Sequence, residues 1–129
     1  MNHLLDLAEN AAAKAYAPYS KFQVGCALET ESGRLYTGCN VENASYGLTI
    51  CAERNAIFHA VAQEGPGMKI TRLAVVCLGN EFPPCGACRQ VIAEFALSDG
   101  RTQIAFLRNG QMMIQSIAEM LPNQFLLNT

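Results

Sequence analysis

The sequence predicts an α/β fold in which a five-stranded sheet is covered by helices. Helical and strand-like patterns follow one another along the chain in the order α-β-β-α-β-α-β-β-α. Residues 70–78 form a nearly continuous apolar run, which is typical of a strand buried on both faces. Residues 108–110 are too short a connection for a parallel strand pair, and their Asn109-Gly110 pair favours a tight hairpin. We therefore expect one domain over residues 1–129, with an antiparallel last strand pair.

The first elements are a helix and a hairpin. Apolar residues at steps of three and four predict a helix over residues 2–15, and Pro18 disfavours its continuation. Residues 22–28 alternate between apolar and polar or small side chains, which is a strand pattern. A turn at 31–33 separates this strand from a second one at 34–39, so the two strands are expected to pair antiparallel.

The remaining elements follow from apolar runs that are interrupted by glycine, proline and polar clusters. In chain order, the predicted elements are a polar loop over 40–50, a helix over 51–63 that presents Ile57, Phe58 and Val61 to the core, the buried strand 70–78, a helix from Cys85 that ends before 98–100, strands 103–107 and 111–114, a short helix over 116–121 and a tail over 124–129.

Composition excludes several classes of function. The net charge of −2 and the lack of a Lys/Arg run argue against a nucleic-acid partner. The first residues lack the basic flank and apolar stretch of a signal peptide, and no stretch reaches the length of a membrane span. We therefore expect a cytoplasmic protein, in which the six cysteines stay reduced and serve as metal ligands or core residues.

Two short motifs carry the chemistry. Cys51 is followed two residues later by Glu53, and a Pro-Cys-x-x-Cys segment then supplies Cys85 and Cys88. This is the three-cysteine form of a zinc deaminase signature, in which a glutamate that is not a ligand moves protons. Zinc with three protein ligands keeps its fourth position for water, whose pKa it lowers toward neutrality. The motifs thus predict a hydrolase that removes an exocyclic amine from a nucleobase-like ring, with Glu53 as its proton carrier.

Charge adds a further expectation. Three thiolates on one zinc ion leave a net charge of −1, which weakens the metal as an acid. Arg54 and Arg89 adjoin the ligands and could offset this charge by hydrogen bonds to sulfur. We favour Arg54 for this role and expect Arg89 to be a solvated helix residue.

The cysteines have two alternative interpretations, a structural zinc site and a redox pair. A structural site needs a fourth ligand, and His59 lies about 12 Å along the helix from Cys51, too far to complete the set. A redox pair would leave Cys51 and Glu53 without a role. His3 and His59 are expected on helix surfaces or satisfied core edges. The other three cysteines could complete a structural site but lie in strand patterns, where small core residues are expected: Cys26, Cys39 and Cys77.

The motifs together resemble those of the small cytidine deaminases over nearly the whole chain. The resemblance rests on residues 17–25 (APYSKFQVG), residues 38–46 (GCNVENASY), residues 51–54 (CAER), residues 84–90 (PCGACRQ), and Leu121-Pro122 followed by Phe125. Pro83 departs from this pattern, because serine is common at its position.

The resemblance implies a role for each matched residue. One zinc ion per chain would be bound by Cys51, Cys85 and Cys88, with Glu53 as the proton shuttle. The substrate-binding residues would be Phe22 against the pyrimidine, Asn40 and Glu42 on the ribose hydroxyls, the Ala52 backbone N–H on the base carbonyl, and Tyr46 and Phe125 at a site in a neighbouring subunit.

The resemblance also implies a fold and a reaction. The fold would be a three-layer α/β/α cytidine deaminase-like domain with a five-stranded mixed sheet. The reaction would be the deamination of cytidine and 2′-deoxycytidine to uridine and 2′-deoxyuridine in pyrimidine salvage, by a cytoplasmic homotetramer with shared sites. The alternatives are a deaminase of a modified cytosine nucleoside such as blasticidin S, which Asn40 and Glu42 argue against, and a non-catalytic zinc-stabilised scaffold.

Overall fold

A computed structural model describes residues 1–127 of the chain. Its helices are α1 (Asn2–Ala12), α2 (Ala52–Glu64), α3 (Gly86–Glu94) and α4 (Ile117–Met120), and its strands are β1 (Val24–Thr30), β2 (Leu35–Cys39), β3 (Ile70–Cys77), β4 (Gln103–Arg108) and β5 (Gln111–Ser116). The predicted tail over 124–129 extends beyond these described residues at positions 128 and 129. Among residues 1–127, no helix combines the length and the apolar character that crossing a membrane requires.

The five strands form one mixed sheet in the order β2-β1-β3-β4-β5. The β1–β2 and β4–β5 hairpins are antiparallel, as predicted, and β3 also runs antiparallel to β1. The β3–β4 pair is parallel, because α3 crosses between the two strands. The expected five-stranded mixed sheet with an antiparallel last pair is therefore confirmed.

Helices cover both faces of the sheet, which makes the fold three-layered. The larger core cluster packs the big side chains of β1, β3 and β4 against α2, α3 and α4. The opposite face carries small residues, including Ala27, Ala74 and Ala105, beneath Leu4 and Ala8 of α1. Alternating side chains along each strand thus separate a thick core layer from a thin one.

Several details differ from the sequence-based predictions. α1 ends at Ala12, because residues 14 and 15 continue in tighter turns in which each N–H bonds to the third preceding carbonyl. β1 begins at Val24 rather than at residue 22 and is buried on both faces, since α1 and α2 cover it from opposite sides. Phe58, which was expected in the core, lies on the outer face of α2 with 48% of its surface exposed. A short 3₁₀ turn, Tyr46–Leu48, interrupts the predicted loop.

The sheet brings several chain segments to one edge. Val24 begins β1 and is paired with Cys77, where β3 ends, while the neighbouring Gly25 is paired with Cys39 at the end of β2. The segments that follow β2 and β3 lead to the first residues of α2 and α3. Both helices therefore begin at the same edge of the sheet.

We predict that Gly25→Ala destabilises the protein by about 3 kcal/mol, which a lower thermal midpoint would reveal. A Cβ atom at Gly25 would overlap the backbone of α1 at Ala8 and lie 2.9 Å from the Ala12 Cα, so helix and strand would have to separate. Gly47→Ala is the matched control, because a Cβ there meets nothing within 4 Å. Equal midpoints for the two variants would contradict this packing argument.

Candidate active site

Three cysteine side chains converge where α2 and α3 begin. The sulfur atoms of Cys51, Cys85 and Cys88 all lie within 4.8 Å of one another. Cys51 immediately precedes α2 and Cys85 immediately precedes α3, while Cys88 lies in the first turn of α3. Two helix N-termini, whose partial positive charges favour thiolates, thus point toward one centre.

The backbone at the start of α2 explains how Cys51 and Glu53, two residues apart, can face one site, although this spacing within a helix would point them in different directions. Cys51 has extended dihedral angles (φ −68°, ψ 156°), so its side chain does not follow the spiral of the helix. Glu53, in the first helical turn, lines the same cavity as Cys51 and is only 4% exposed. Cys51 therefore lies just before the helix rather than at its first residue, as the predicted range of 51–63 had placed it.

Hydrogen bonds favour a thiolate at Cys51. The neighbouring Cys88 thiol and the Arg54 guanidinium lower the pKa of Cys51 to about 5. The pKa of Cys88 is raised by the neighbouring Cys51 sulfur and by burial. A cation at the centre of the cluster would take the place of the Cys88 proton as the partner of the sulfur atoms.

The two arginines beside the ligands have different roles. The Arg54 Nη2 donates to the Cys51 sulfur at 3.2 Å, as proposed for this residue from charge. The expectation that Arg89 is solvated is wrong. Arg89 is half-buried and donates from Nε to the Pro84 carbonyl at 2.8 Å and from Nη1 to the Met120 carbonyl at 3.0 Å. It therefore ties the loop before Cys85 to α4.

The donor set fits zinc with one open coordination position. Three thiols whose sulfur atoms lie within 4.8 Å of one another match the preference of zinc for sulfur. Across residues 1–127, no further Cys, His, Asp or Glu joins this cluster. Cys26 and Cys77 are buried in the core, as expected, and Cys39 is half-buried. Three ligands without a fourth are typical of a catalytic rather than a structural zinc site.

Glu53 has an environment suited to proton transfer. Burial raises the pKa of its carboxyl group to about 7, and the neighbouring Cys51 thiolate contributes in the same direction. A carboxyl group that titrates near neutral pH can both accept and return a proton. Glu53 therefore has the chemical properties that the sequence motif requires of its glutamate.

A cavity of about 410 Å³ opens beside the cysteine cluster. Its wall includes four of the predicted substrate-binding residues, Phe22, Asn40, Glu42 and Ala52. The described chain therefore brings these residues, the metal ligands Cys51 and Cys85, and Glu53 to one place. A volume of this size accommodates a small organic molecule.

Asn40 and Glu42 also hold the segment that carries Phe22. The Asn40 side chain accepts from the Val24 N–H at 2.9 Å and donates to the Phe22 carbonyl at 2.7 Å. The Glu42 carboxylate accepts from the backbone N–H groups of residues 19 and 20, at 3.0 and 3.1 Å, and from the Ser20 hydroxyl. These bonds to Ser20 lower the pKa of Glu42, which keeps the group ionised.

Tyr46 and Phe125 lie apart from the cysteine cluster. Tyr46 is 75% exposed and lines a second cavity, which shares Ser20, Glu42 and Thr49 with the first. Phe125 is 70% exposed, and its carbonyl accepts from the Gln90 amide at 3.4 Å. Within one chain, neither aromatic ring lines the cavity beside the cysteines.

The cavity wall also contains residues that sequence reasoning did not assign, namely Ser20, Val24, Thr49, Phe82 and Pro83. Phe82 and Pro83 could have been found, because a short loop leading to a metal ligand must pass close to the metal. Thr49 precedes Cys51 by two residues and is recognisable on the same ground. Val24 offered no such signal, since it appears in the sequence as an ordinary strand residue.

Comparisons with known proteins agree with this geometry. The family model for the cytidine and deoxycytidylate deaminase zinc-binding region matches residues 1–102. The chain is 43% identical to the cytidine deaminase of Sporosarcina psychrophila, over 95% of this chain and 88% of that protein. It is 45% identical to the cytidine deaminase of Halalkalibacterium halodurans, over 86% and 83% of the respective chains. The crystal structure of cytidine deaminase from Burkholderia pseudomallei matches with a TM-score of 0.85 and 43% sequence identity, covering 96% of this chain and 98% of that chain.

Proposed function

The chain belongs to the cytidine and deoxycytidylate deaminase family, and we propose that it converts cytidine and 2′-deoxycytidine, with water, to uridine and 2′-deoxyuridine and ammonia. The observation that carries this proposal is the convergence of Cys51, Cys85 and Cys88 beside the buried Glu53 at the wall of a nucleoside-sized cavity. Bound zinc would supply the Lewis acid that activates water for attack on C4 of the cytosine ring.

Glu53 would carry the protons of the reaction. Its carboxylate accepts a proton from the attacking water and delivers it to N3 of the ring. It then takes the remaining proton of the hydroxyl group added at C4 and passes it to the departing amine, so that the oxygen stays on C4 as the carbonyl and ammonia leaves. The pKa of about 7 that burial gives Glu53 suits it to both tasks. Arg54, through its hydrogen bond to Cys51, offsets part of the negative charge of three thiolates.

The cavity wall suggests how the nucleoside is held. Phe22 packs against the pyrimidine ring, and the Ala52 N–H donates to the base carbonyl. Asn40 and Glu42 bind the ribose hydroxyls while their existing hydrogen bonds keep the Phe22 segment in place. A site built to hydrogen-bond a sugar hydroxyl discriminates strongly against ligands that lack it. This pair favours an ordinary nucleoside over a modified one such as blasticidin S.

We further propose a homotetramer with shared active sites. Tyr46 and Phe125 are the exposed aromatic residues that the family pattern assigns to a neighbouring subunit's site. The exposed Leu126 and Leu127 extend the apolar surface beside Phe125. A cytoplasmic location and a place in pyrimidine salvage complete the proposal, and the six free cysteines accord with a reducing compartment.

Glu53→Gln tests the reaction and the role of Glu53 together. The variant should retain one zinc ion per chain while its turnover of cytidine falls by about 10³-fold, because the amide cannot accept the proton. The ultraviolet change from cytidine to uridine measures turnover. Glu94→Gln is the matched control, since it makes the same substitution on the exposed end of α3.

Wild-type turnover by Glu53→Gln would exclude Glu53 as the proton carrier. A zinc-loaded wild type that leaves cytidine unchanged would contradict the proposed substrate. A modified cytosine nucleoside would then be tested next, and a zinc-stabilised scaffold after it.

Phe125→Ala tests the shared site. We expect the variant to remain a tetramer by light scattering and to keep its zinc. Its KM for cytidine should rise about tenfold, since the aromatic contact of Phe125 with the neighbouring subunit's site is lost. Leu127→Ala removes a neighbouring exposed apolar side chain and should leave KM unchanged. Full activity of Phe125→Ala in a stable monomer would contradict the shared-site arrangement.

A further inference from the structure

Phe82 is an aromatic residue of the cavity wall that the mechanism above does not use. It is 38% exposed and lines the cavity together with Phe22, Glu53 and Cys85. Its ring meets the Phe22 ring edge-on, with the centroids 6.3 Å apart and the planes inclined at 78°. The two rings therefore form a corner, a preferred geometry for an aromatic pair.

Glu81, the residue just before Phe82, is anchored through its carboxylate. One Glu81 carboxylate oxygen accepts from the Asn109 N–H at 2.7 Å, and the other accepts from the Gly110 N–H at 2.8 Å. Both residues have positive φ angles, 53° and 74°, as a tight hairpin turn requires. Successive N–H groups in such a turn form a concave site for an anion. The loop that carries Phe82 is thereby fastened to the β4–β5 hairpin.

The residues after Phe82 are restrained as well. Pro83 and Pro84 have restricted φ angles, and Pro84 is buried. The Pro84 carbonyl accepts from the Arg89 Nε at 2.8 Å. Phe82 is thus held between two fixed points although its ring is partly exposed. An aromatic ring held in this way is a preformed wall for a ligand.

We propose that Phe82 is a specificity-determining residue that bounds the C5 edge of the cytosine ring, and that Glu81 is the positioning residue that holds it there. This inference rests on the proposed function. A cytosine ring stacked on Phe22 would be nearly perpendicular to Phe82, which would then face an edge of the base. With N3 at Glu53 of α2, C5 lies on the other side of C4 and faces the loop that leads to α3.

The inference is tested by comparing kcat/KM for 5-methylcytidine and cytidine in the zinc-loaded protein. In Phe82→Ala the ratio of the two values should rise about tenfold, because the space for the methyl group opens. In the same variant, KM for cytidine should rise about threefold while kcat stays within about twofold of the wild-type value. The reason is that a contact with the edge of the base stabilises the bound substrate and the transition state equally. Phe82→Leu should give intermediate values, and zinc content should not change.

Glu81→Gln tests the anchor. The amide keeps one acceptor oxygen but places N–H donors against a backbone N–H, so the ratio should shift in the same direction by a smaller factor. Glu31→Gln, an exposed substitution in the β1–β2 turn, is the matched control and should leave the ratio unchanged.

Three results would overturn the inference. If the wild type is active and the 5-methylcytidine/cytidine ratio of kcat/KM in Phe82→Ala stays within twofold of the wild-type ratio, Phe82 is excluded as a specificity determinant. Loss of kcat together with zinc in that variant would instead identify a structural role for the loop. A zinc-loaded wild type inactive on both nucleosides would refute the proposed function, and the inference with it.

Discussion

The site depends on two helices beginning at the same point. Each of the three sulfur atoms belongs to, or immediately precedes, the first turn of α2 or α3, and the cluster exists only while those turns stay within a few ångströms of each other. The partial positive charges of the two helix ends and the hydrogen bond from Arg54 favour thiolate at Cys51. The same closeness buries Glu53 and raises its pKa. The cysteine cluster and the raised pKa of Glu53 thus follow from one packing arrangement.

The rest of the fold maintains that arrangement. Gly38 of β2 lies against the backbone of α2 near Ala56, as Gly25 of β1 does against α1, so the helices pack closely on the sheet. The parallel β3–β4 pair requires a crossover, and that crossover is the helix that carries Cys88. Arg89 then links this helix to the carbonyl of Met120 in α4.

Most of the fold and the metal centre could be predicted from sequence, because both are encoded locally. Periodicity located the four α-helices and five strands described in residues 1–127, though not the 3₁₀ turn Tyr46–Leu48, and the Asn109-Gly110 turn determined the direction of the last pair. The anchoring of the Phe82 loop and the contacts of Arg89 could not be predicted, since they depend on contacts between segments distant in sequence, such as the Glu81 carboxylate with the 109–110 turn. The exposed Phe58 shows the same limit, because an apolar residue in a helix does not reveal which face is covered.

The coordination of the bound metal tests the central claim most directly. X-ray absorption at the zinc edge should show three sulfur neighbours at about 2.3 Å and one oxygen neighbour at about 2.0 Å. That result would establish three cysteine ligands with a position left for water, as the cluster of Cys51, Cys85 and Cys88 requires. Four sulfur neighbours would show a closed structural site and would contradict the account.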